Sequence, residues 1–419
     1  MKLFETEELK GKTIPITTQQ IVAGWHKVKA AKGSGEVDGK SIPMVENQLQ
    51  KELYQLWNRM ASGSYHPQAV KASEIAKWDG SKRKLGIPTV TDRVAQQVIK
   101  DILEPELEKI FHQDSYGYRM GKSGHQAVLK CKERCWKYTW VIDLDIKQYF
   151  DSIDHTLLMK AIDRHTDQKW LKMYLNRWLT APIEEGGKLV ERKAGTPQGG
   201  VISPLLSNLF LHYVFDKWIS KHYPSIPFER YADDIIIHCT TKQQAEQIMQ
   251  AVTKRMEECK LRVHPTKTKI VHCKTQNRQS TYKLVKFDFL GFSFQPRKGK
   301  DKRGRYFLSY GAGISKRAKK HIVSTLKKQK VHRATDISLE GLATQLAPSI
   351  RGWINYFGRI NKWAMQSVFR NLNFRLMKWY RNKYKSCRRS YSTTWIKLRQ
   401  VARDYPNLFI HWQHGFLPY

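Results

Sequence analysis

The run Phe228-Glu229-Arg230-Tyr231-Ala232-Asp233-Asp234-Ile235-Ile236-Ile237 constrains this chain more than any other stretch. Two short segments rich in β-branched and aromatic residues flank an Ala-Asp-Asp corner. The pattern predicts a β-hairpin with two adjacent carboxylates at its turn. Along a straight strand Asp233 and Asp234 would point to opposite faces, whereas a turn leaves both near one pocket. Taken alone, an Asp-Asp pair reads as a solvated turn. Between apolar strands the pair is costly, because like charges repel and buried carboxylates lose hydration. A divalent cation removes both penalties.

A second carboxylate strand lies upstream. In Trp140-Val141-Ile142-Asp143-Leu144-Asp145-Ile146 the alternation puts Trp140, Ile142 and Leu144 on one face and Val141, Asp143 and Asp145 on the other. Lys147-Gln148-Tyr149-Phe150-Asp151 follows, then a helical run over about 152–164, capped by Ser152 or Asp154. Two strands about 90 residues apart thus each end in aspartates. Hard oxygen ligands from separate strands suit Mg²⁺, which shares its shell with substrate phosphates. Two such ions activate an attacking hydroxyl and stabilise a leaving pyrophosphate.

Charge points to the partner. Lys and Arg number 74 against 37 acidic residues, a formal charge of +37 over 419 residues. A surplus of that size marks a polyanion, nucleic acid by default. No apolar run approaches membrane-spanning length and the N-terminus has no signal-peptide core, so no membrane partner and a bacterial cytoplasmic location are expected. Six cysteines stand apart without a CxxC pair. Cys131 and Cys135, four apart on one helix, read as reduced packing residues rather than zinc ligands.

Tyr231-Ala232-Asp233-Asp234, together with Asp145-Ile146-Lys147-Gln148-Tyr149-Phe150-Asp151, resembles the reverse transcriptases of bacterial mobile group II introns. Between them, Gly195-Thr196-Pro197-Gln198-Gly199-Gly200-Val201-Ile202-Ser203-Pro204 resembles the family's nucleotide-pocket signature. The resemblance implies an α+β right-hand polymerase of fingers, palm with an antiparallel sheet, and helical thumb. It implies an RNA-directed DNA polymerase that takes an RNA template with a DNA primer, dNTPs and two Mg²⁺ ions, with Mn²⁺ as a substitute. Asp145 and Asp233 are the expected ligands of both ions, with the Ile146 carbonyl beside them and Asp234 as the third carboxylate, set further back. Asp143 ranks lower, because the family places its ligand directly before Ile-Lys. The pair Tyr149-Phe150 is expected to wall the sugar 2′ position, with Tyr149 put slightly ahead. Gln198 and Gly199 are expected beside the nucleotide, and Lys77 and Arg83 on its triphosphate.

The rest of the chain fits around this palm. Residues 1–65 read as an N-terminal extension of helices around a glycine-rich loop at 33–40, which resembles the family's template-covering segment. Residues 66–136, with part of 165–200, read as fingers, built on a hairpin turning at Trp78-Asp79-Gly80-Ser81. Arg119 and Lys122, in a segment similar to the family's SYGFRPGRS-x-HQA, are expected on nucleic acid; His125 is expected to be structural. The palm runs over 137–296, with Lys267 in its KT segment, and 297–310 is a basic hairpin or linker. Residues 311–386 read as a helical thumb whose Lys316, Arg317, Lys319 and Lys320 contact nucleic acid. Within it Leu346 to Phe357 resembles the group II intron maturase signature, which implies intron RNA as a partner, in splicing and mobility, and Trp353 and Arg351 are expected inside. Residues 387–419 are set apart as a basic tail. No endonuclease segment of the HNH type is present, as in the compact group IIC class. Two other functions compete: a co-opted stand-alone reverse transcriptase in host defence, and an RNA-binding splicing cofactor with incidental polymerase chemistry. Oligomeric state is not legible in the sequence.

Overall fold

The computed structural model describes residues 14–32, 38–76, 82–278, 280–301 and 303–419, and within strands not the side chains of Ala76, Lys82 and Arg83. Lys77, the turn 78–81 and loop residues 33–37 therefore lie outside the described residues. The chain divides into two compact units, one of residues 1–123, 142–237 and 242–269, the other of 124–141, 238–241 and 270–419.

In the first unit, helices Thr18–Ala31 and Leu49–Ala61 bury Ile21, Trp25, Leu53, Leu56 and Met60, the stripes that the helical period sets. Thr17 caps the former helix through a reciprocal pair with Gln20, Thr17 N to Gln20 Oε1 at 2.8 Å and Gln20 N to Thr17 Oγ1 at 3.2 Å. The finger strands Val70–Ala76 and Lys82–Ile87 pair antiparallel, as expected of the Asp-Gly hairpin. The sheet continues through Ile183–Glu185, parallel to the first strand, and Lys188–Val190. The segment preceding the Gly195 motif is thereby built into the fingers.

The palm sheet has the order Phe228–Tyr231, Asp234–Cys239, Trp140–Asp145, Lys269–His272. The hairpin pairs Tyr231 with Asp234, so the turn is only Ala232-Asp233. Ala232 reaches it at φ +57°. After the strand Trp140–Asp145 the chain makes a short turn of helix at Tyr149–Ser152, breaks, and restarts as His155–Ile162. Asp154 caps that restart by accepting from Leu157 N at 2.9 Å. Ser152 instead donates back to Gln148 O at 2.9 Å, which settles the choice of cap.

The second unit holds the three-stranded sheet of Phe287–Phe289, Phe292–Lys300 and Tyr306–Ile314. The basic stretch after Gln295 is the tip of a long hairpin rather than a linker, since its two strands pair through Lys300 and Tyr306. Helices Lys316–Lys328, Leu339–Trp353 and Gln366–Lys383 enclose a core of Ile322, Leu326, Leu346, Leu372 and Trp379. The C-terminal stretch joins that core: Leu398, Phe409, Trp412 and Phe416 are buried in it. Asn373 is the polar staple, donating to Phe416 O at 3.0 Å and accepting from His411 Nε2 at 2.8 Å and Trp412 Nε1 at 3.0 Å. The stretch set apart as a basic tail therefore packs into the helical core of the second unit; its apolar residues are too sparse to announce that core without their partners. Arg351 is exposed and Trp353 only half-buried. The signature helix turns its arginine outward, contrary to expectation. Among the described residues no helix is long and apolar enough to cross a membrane.

Candidate active site

A cleft of about 780 Å³ opens in the first unit, and Asp145 and Asp233 line it together with Ile146, Phe150 and Gln198. Both aspartates are half-buried. The strand Trp140–Asp145 delivers the first, the hairpin turn the second. Asp234 starts the next strand and is not among the lining residues; Asp143 is not either. Asp233 sits at the turn itself, one residue before the ladder resumes at Asp234. Asp145 is the last residue of its strand, at the cleft edge, while Asp143 lies two residues further in on the same face.

The end of the Asp145 strand is fixed from behind. Thr268 Oγ1 accepts from Asp145 N at 3.2 Å, and His264 N donates to Asp145 O at 2.8 Å. The segment containing Lys267 thus lies against the carboxylate, with Lys267 Nζ 3.7 Å from Asp145 Oδ2. At 60% and 40% exposure this ion pair is screened and weak. The carboxylate stays available to a stronger cation. Two half-exposed aspartates and a main-chain carbonyl, all hard oxygen donors, fit a divalent ion such as Mg²⁺.

The hairpin turn is held from below by Arg230. Its guanidinium donates to Asp216 Oδ1 at 2.7 Å and Oδ2 at 2.6 Å, to Asn208 Oδ1 at 2.9 Å and to Ala232 O at 3.2 Å. Asn208 in turn donates to Gly117 O at 2.7 Å. A Cβ on Gly117 would stand 2.5 Å from Ala232 N, so only glycine lets this segment close on the turn. Neither Arg230 nor Asp216 was singled out from the sequence. The signal for Arg230 was a buried-type strand position filled by arginine; Asp216, in the helical segment before it, carried none.

The two aromatic residues separate cleanly. Tyr149 is 2% exposed and donates its hydroxyl to Ser207 O at 2.6 Å, while Phe150 is half-buried at the cleft wall. Burial pushes the Tyr149 phenol well above its ordinary pKa, so it stays a neutral donor. The sequence put Tyr149 slightly ahead as the sugar wall; the geometry favours Phe150. The Gly195 motif docks on this turn through Thr196 N to Phe150 O at 2.8 Å and Gly195 N to Ile153 O at 2.7 Å. Gln198 Nε2 lies 3.5 Å from both Asp151 oxygens. Gly199 does not line the cleft: at φ +135° it packs its backbone on Gly86, where a Cβ would meet Gly86 O at 2.5 Å.

Other expected residues disperse. Lys77 and the Arg83 side chain lie outside the described residues. Lys84, their neighbour, lines the cleft and is engaged with Glu185. Arg119 is a correction. Its side chain is 5% exposed and four of its five donors go to Glu108 and to the carbonyls of His112 and Ser115, which turns it inward rather than towards a phosphate. A surface-type motif arginine was used to brace a glycine-rich turn. Lys122 is half-buried, with Nζ donating to Gln113 O at 2.9 Å. His125 is structural, its Nε2 2.7 Å from Tyr356 O. Lys316, Arg317 and Lys320 stand exposed on their helix in the second unit, whereas Lys319 is half-buried. The six cysteines are free and buried. Arg192, just before the Gly195 motif, also lines the cleft and was not foreseen. In the sequence it is one charge in a run of charges.

The reverse transcriptase (RNA-dependent DNA polymerase) family matches residues 75–294, over half of the chain. The chain belongs to the reverse transcriptase family. It is by that membership an RNA-directed DNA polymerase of right-hand fold, and it also carries a group II intron maturase-specific domain over residues 319–400. Protein YkfC of Escherichia coli is 33% identical over 274 residues, which is 56% of this chain and 72% of that protein. The group II intron-encoded protein LtrA of Lactococcus lactis is 34% identical over 192 residues, 46% of this chain but only 31% of LtrA. A putative COX1/OXI3 intron 1 protein of Saccharomyces cerevisiae is 26% identical over 203 residues, 48% of this chain and 24% of that protein.

Proposed function

We propose that this reverse transcriptase extends a DNA primer on an RNA template by two-metal nucleotidyl transfer, and that its maturase-domain unit binds group II intron RNA to assist splicing and mobility. One observation carries the first half: strand ends about 90 residues apart put Asp145 and Asp233 into one cleft with Phe150 and Gln198. Asp145, Asp233 and the Ile146 carbonyl would hold two Mg²⁺ ions, replaceable by Mn²⁺. Such ions supply a lowered pKa at the primer 3′-hydroxyl and charge neutralisation on the triphosphate. In the reaction the 3′-oxygen bonds to the α-phosphorus as the bond to pyrophosphate breaks. Phe150 limits the sugar to deoxyribose by contact at the 2′ position. Gln198, placed by the Gly195 turn, borders the same sugar, and Asp234 supports the turn behind Asp233.

The intron-RNA half rests on the maturase-specific domain and on the cationic helix beginning at Lys316. The deciding experiment is primer extension on an RNA template with Mg²⁺. Asp145→Ala and Asp233→Ala should each lose at least about a thousandfold in rate, roughly 4 kcal/mol at ~1.4 kcal/mol per decade. Near-wild-type extension by both would remove the site assignment. Absence of any intron-RNA binding by the wild type would favour a stand-alone polymerase.

A further inference from the structure

We propose that Arg192 grips the polyphosphate of the incoming nucleotide, completing the cationic side of the cleft from the strand that precedes the Gly195 motif. This rests on the polymerase reading of the cleft. Arg192 follows the strand Lys188–Val190 and lines the same cleft as Asp145, Asp233 and Phe150. Both of its terminal nitrogens, Nη1 and Nη2, are shut off from solvent and have no hydrogen-bond partner among the described residues. A guanidinium carries five donors and no acceptor, so burying its fork unpaired is costly. The cost appears as a pKa drawn down to about 10, with burial as the first cause and Asp151 acting against it.

The acids of the cleft do not fill that gap. Glu185 is taken by Lys84, and Asp151 faces Gln198 without a hydrogen bond to Arg192. What the fork lacks is a pair of anionic oxygens, and phosphate presents them in the matching geometry. A template phosphate would also satisfy charge. The nucleotide is favoured because the same cleft wall carries the metal-type carboxylates and the aromatic sugar wall, which address the nucleotide rather than the template strand.

The test compares Arg192→Gln and Arg192→Lys with the wild type. On an RNA template with saturating primer, Arg192→Gln should raise the KM for dNTP at least about tenfold with a smaller fall in kcat, and leave the Kd for template–primer within about twofold. Arg192→Lys should recover part of the KM. A second readout needs no turnover: inorganic tripolyphosphate should raise the melting temperature of the wild type and not that of Arg192→Gln. The unliganded Arg192→Gln protein should melt no lower than wild type, because no native partner is lost. A lower melting temperature with unchanged KM and an unchanged tripolyphosphate shift would make Arg192 structural and overturn the proposal. Weakened template–primer binding with an unchanged KM would assign it to the template and overturn it equally. If the wild type extends no primer, the polymerase reading falls by itself. An Arg192-dependent tripolyphosphate shift would then still support the anion site, and its absence would overturn that too.

Discussion

Arg230 grips Asp216 with two parallel hydrogen bonds of 2.7 and 2.6 Å, and neither side chain has any exposure to solvent. The same guanidinium holds Ala232 O, at the one non-glycine residue of the hairpin turn with positive φ. Left-handed backbone at alanine is strained and persists only where its surroundings hold it. The pair thus supports Asp233 without touching substrate. Asp216→Ala leaves a buried guanidinium without its counter-charge and should cost about 3–5 kcal/mol. Chemical denaturation checks this; a loss under about 1 kcal/mol would show that the turn needs no such brace.

Selection against ribonucleotides should follow Phe150 and not Tyr149. Phe150→Ala opens the half-buried wall and should raise the ribonucleotide-to-deoxyribonucleotide incorporation ratio at least about tenfold, within the discrimination a steric pocket supplies. Tyr149→Phe removes only the hydrogen bond to Ser207 O and should cost on the order of 1 kcal/mol of stability with the ratio unchanged. The reverse pattern in single-nucleotide incorporation would return the gate to Tyr149.

Acid should loosen the second unit through His411. The ring is fully buried against Asn373, and burial lowers its pKa to about 3 from the usual 6.5. The folded state therefore prefers the neutral ring while the unfolded chain takes up a proton below about pH 6.5. The stabilisation is complete above that value and declines as pH falls towards 3. By pH 5 the loss is on the order of 2 kcal/mol, at ~1.4 kcal/mol per pH unit. His411→Gln should flatten the melting temperature between pH 7 and 5. An equally steep decline in that variant would place the acid sensitivity elsewhere.

Nucleic-acid affinity should fall steeply with salt, and unevenly among the four cations at the start of the thumb helix. Lys316, Arg317 and Lys320 are exposed, while Lys319 is half-buried near Arg297 and its pKa is lowered chiefly by burial. Each exposed cation that meets a phosphate should contribute about 0.9 to the log–log salt slope when B-form geometry applies. Neutralising the three together should remove up to about 2.7 from the slope for a template–primer duplex, and neutralising Lys319 little. Equal slopes in all variants, measured by fluorescence anisotropy across a salt series, would take this helix out of the footprint.

The sequence by itself determined the elements whose cause is local. The Ala-Asp-Asp hairpin, the carboxylate strand ending at Asp145, the paired finger strands and the amphipathic helices follow from period and turn chemistry, which a chain carries residue by residue. It also determined the cationic surplus, and with it the polyanionic class of partner. Tertiary structure alone decided which side chain of a motif is spent inside. Arg119 and Arg230 look alike in sequence to Arg192, yet the first two are paired with Glu108 and Asp216 while the third has an open fork in the cleft. Tyr149 and Phe150 are adjacent and chemically alike and both border the cleft, and only the carbonyl of Ser207, 58 residues away, ties the hydroxyl of one of them into the interior. The tail was legible as charge but not as core, since Phe409, Trp412 and Phe416 gain their burial from helices far upstream. The physical reason is common to these cases. Propensity and charge are properties of a residue and its near neighbours, whereas burial and hydrogen-bond satisfaction depend on groups that folding brings from elsewhere in the chain.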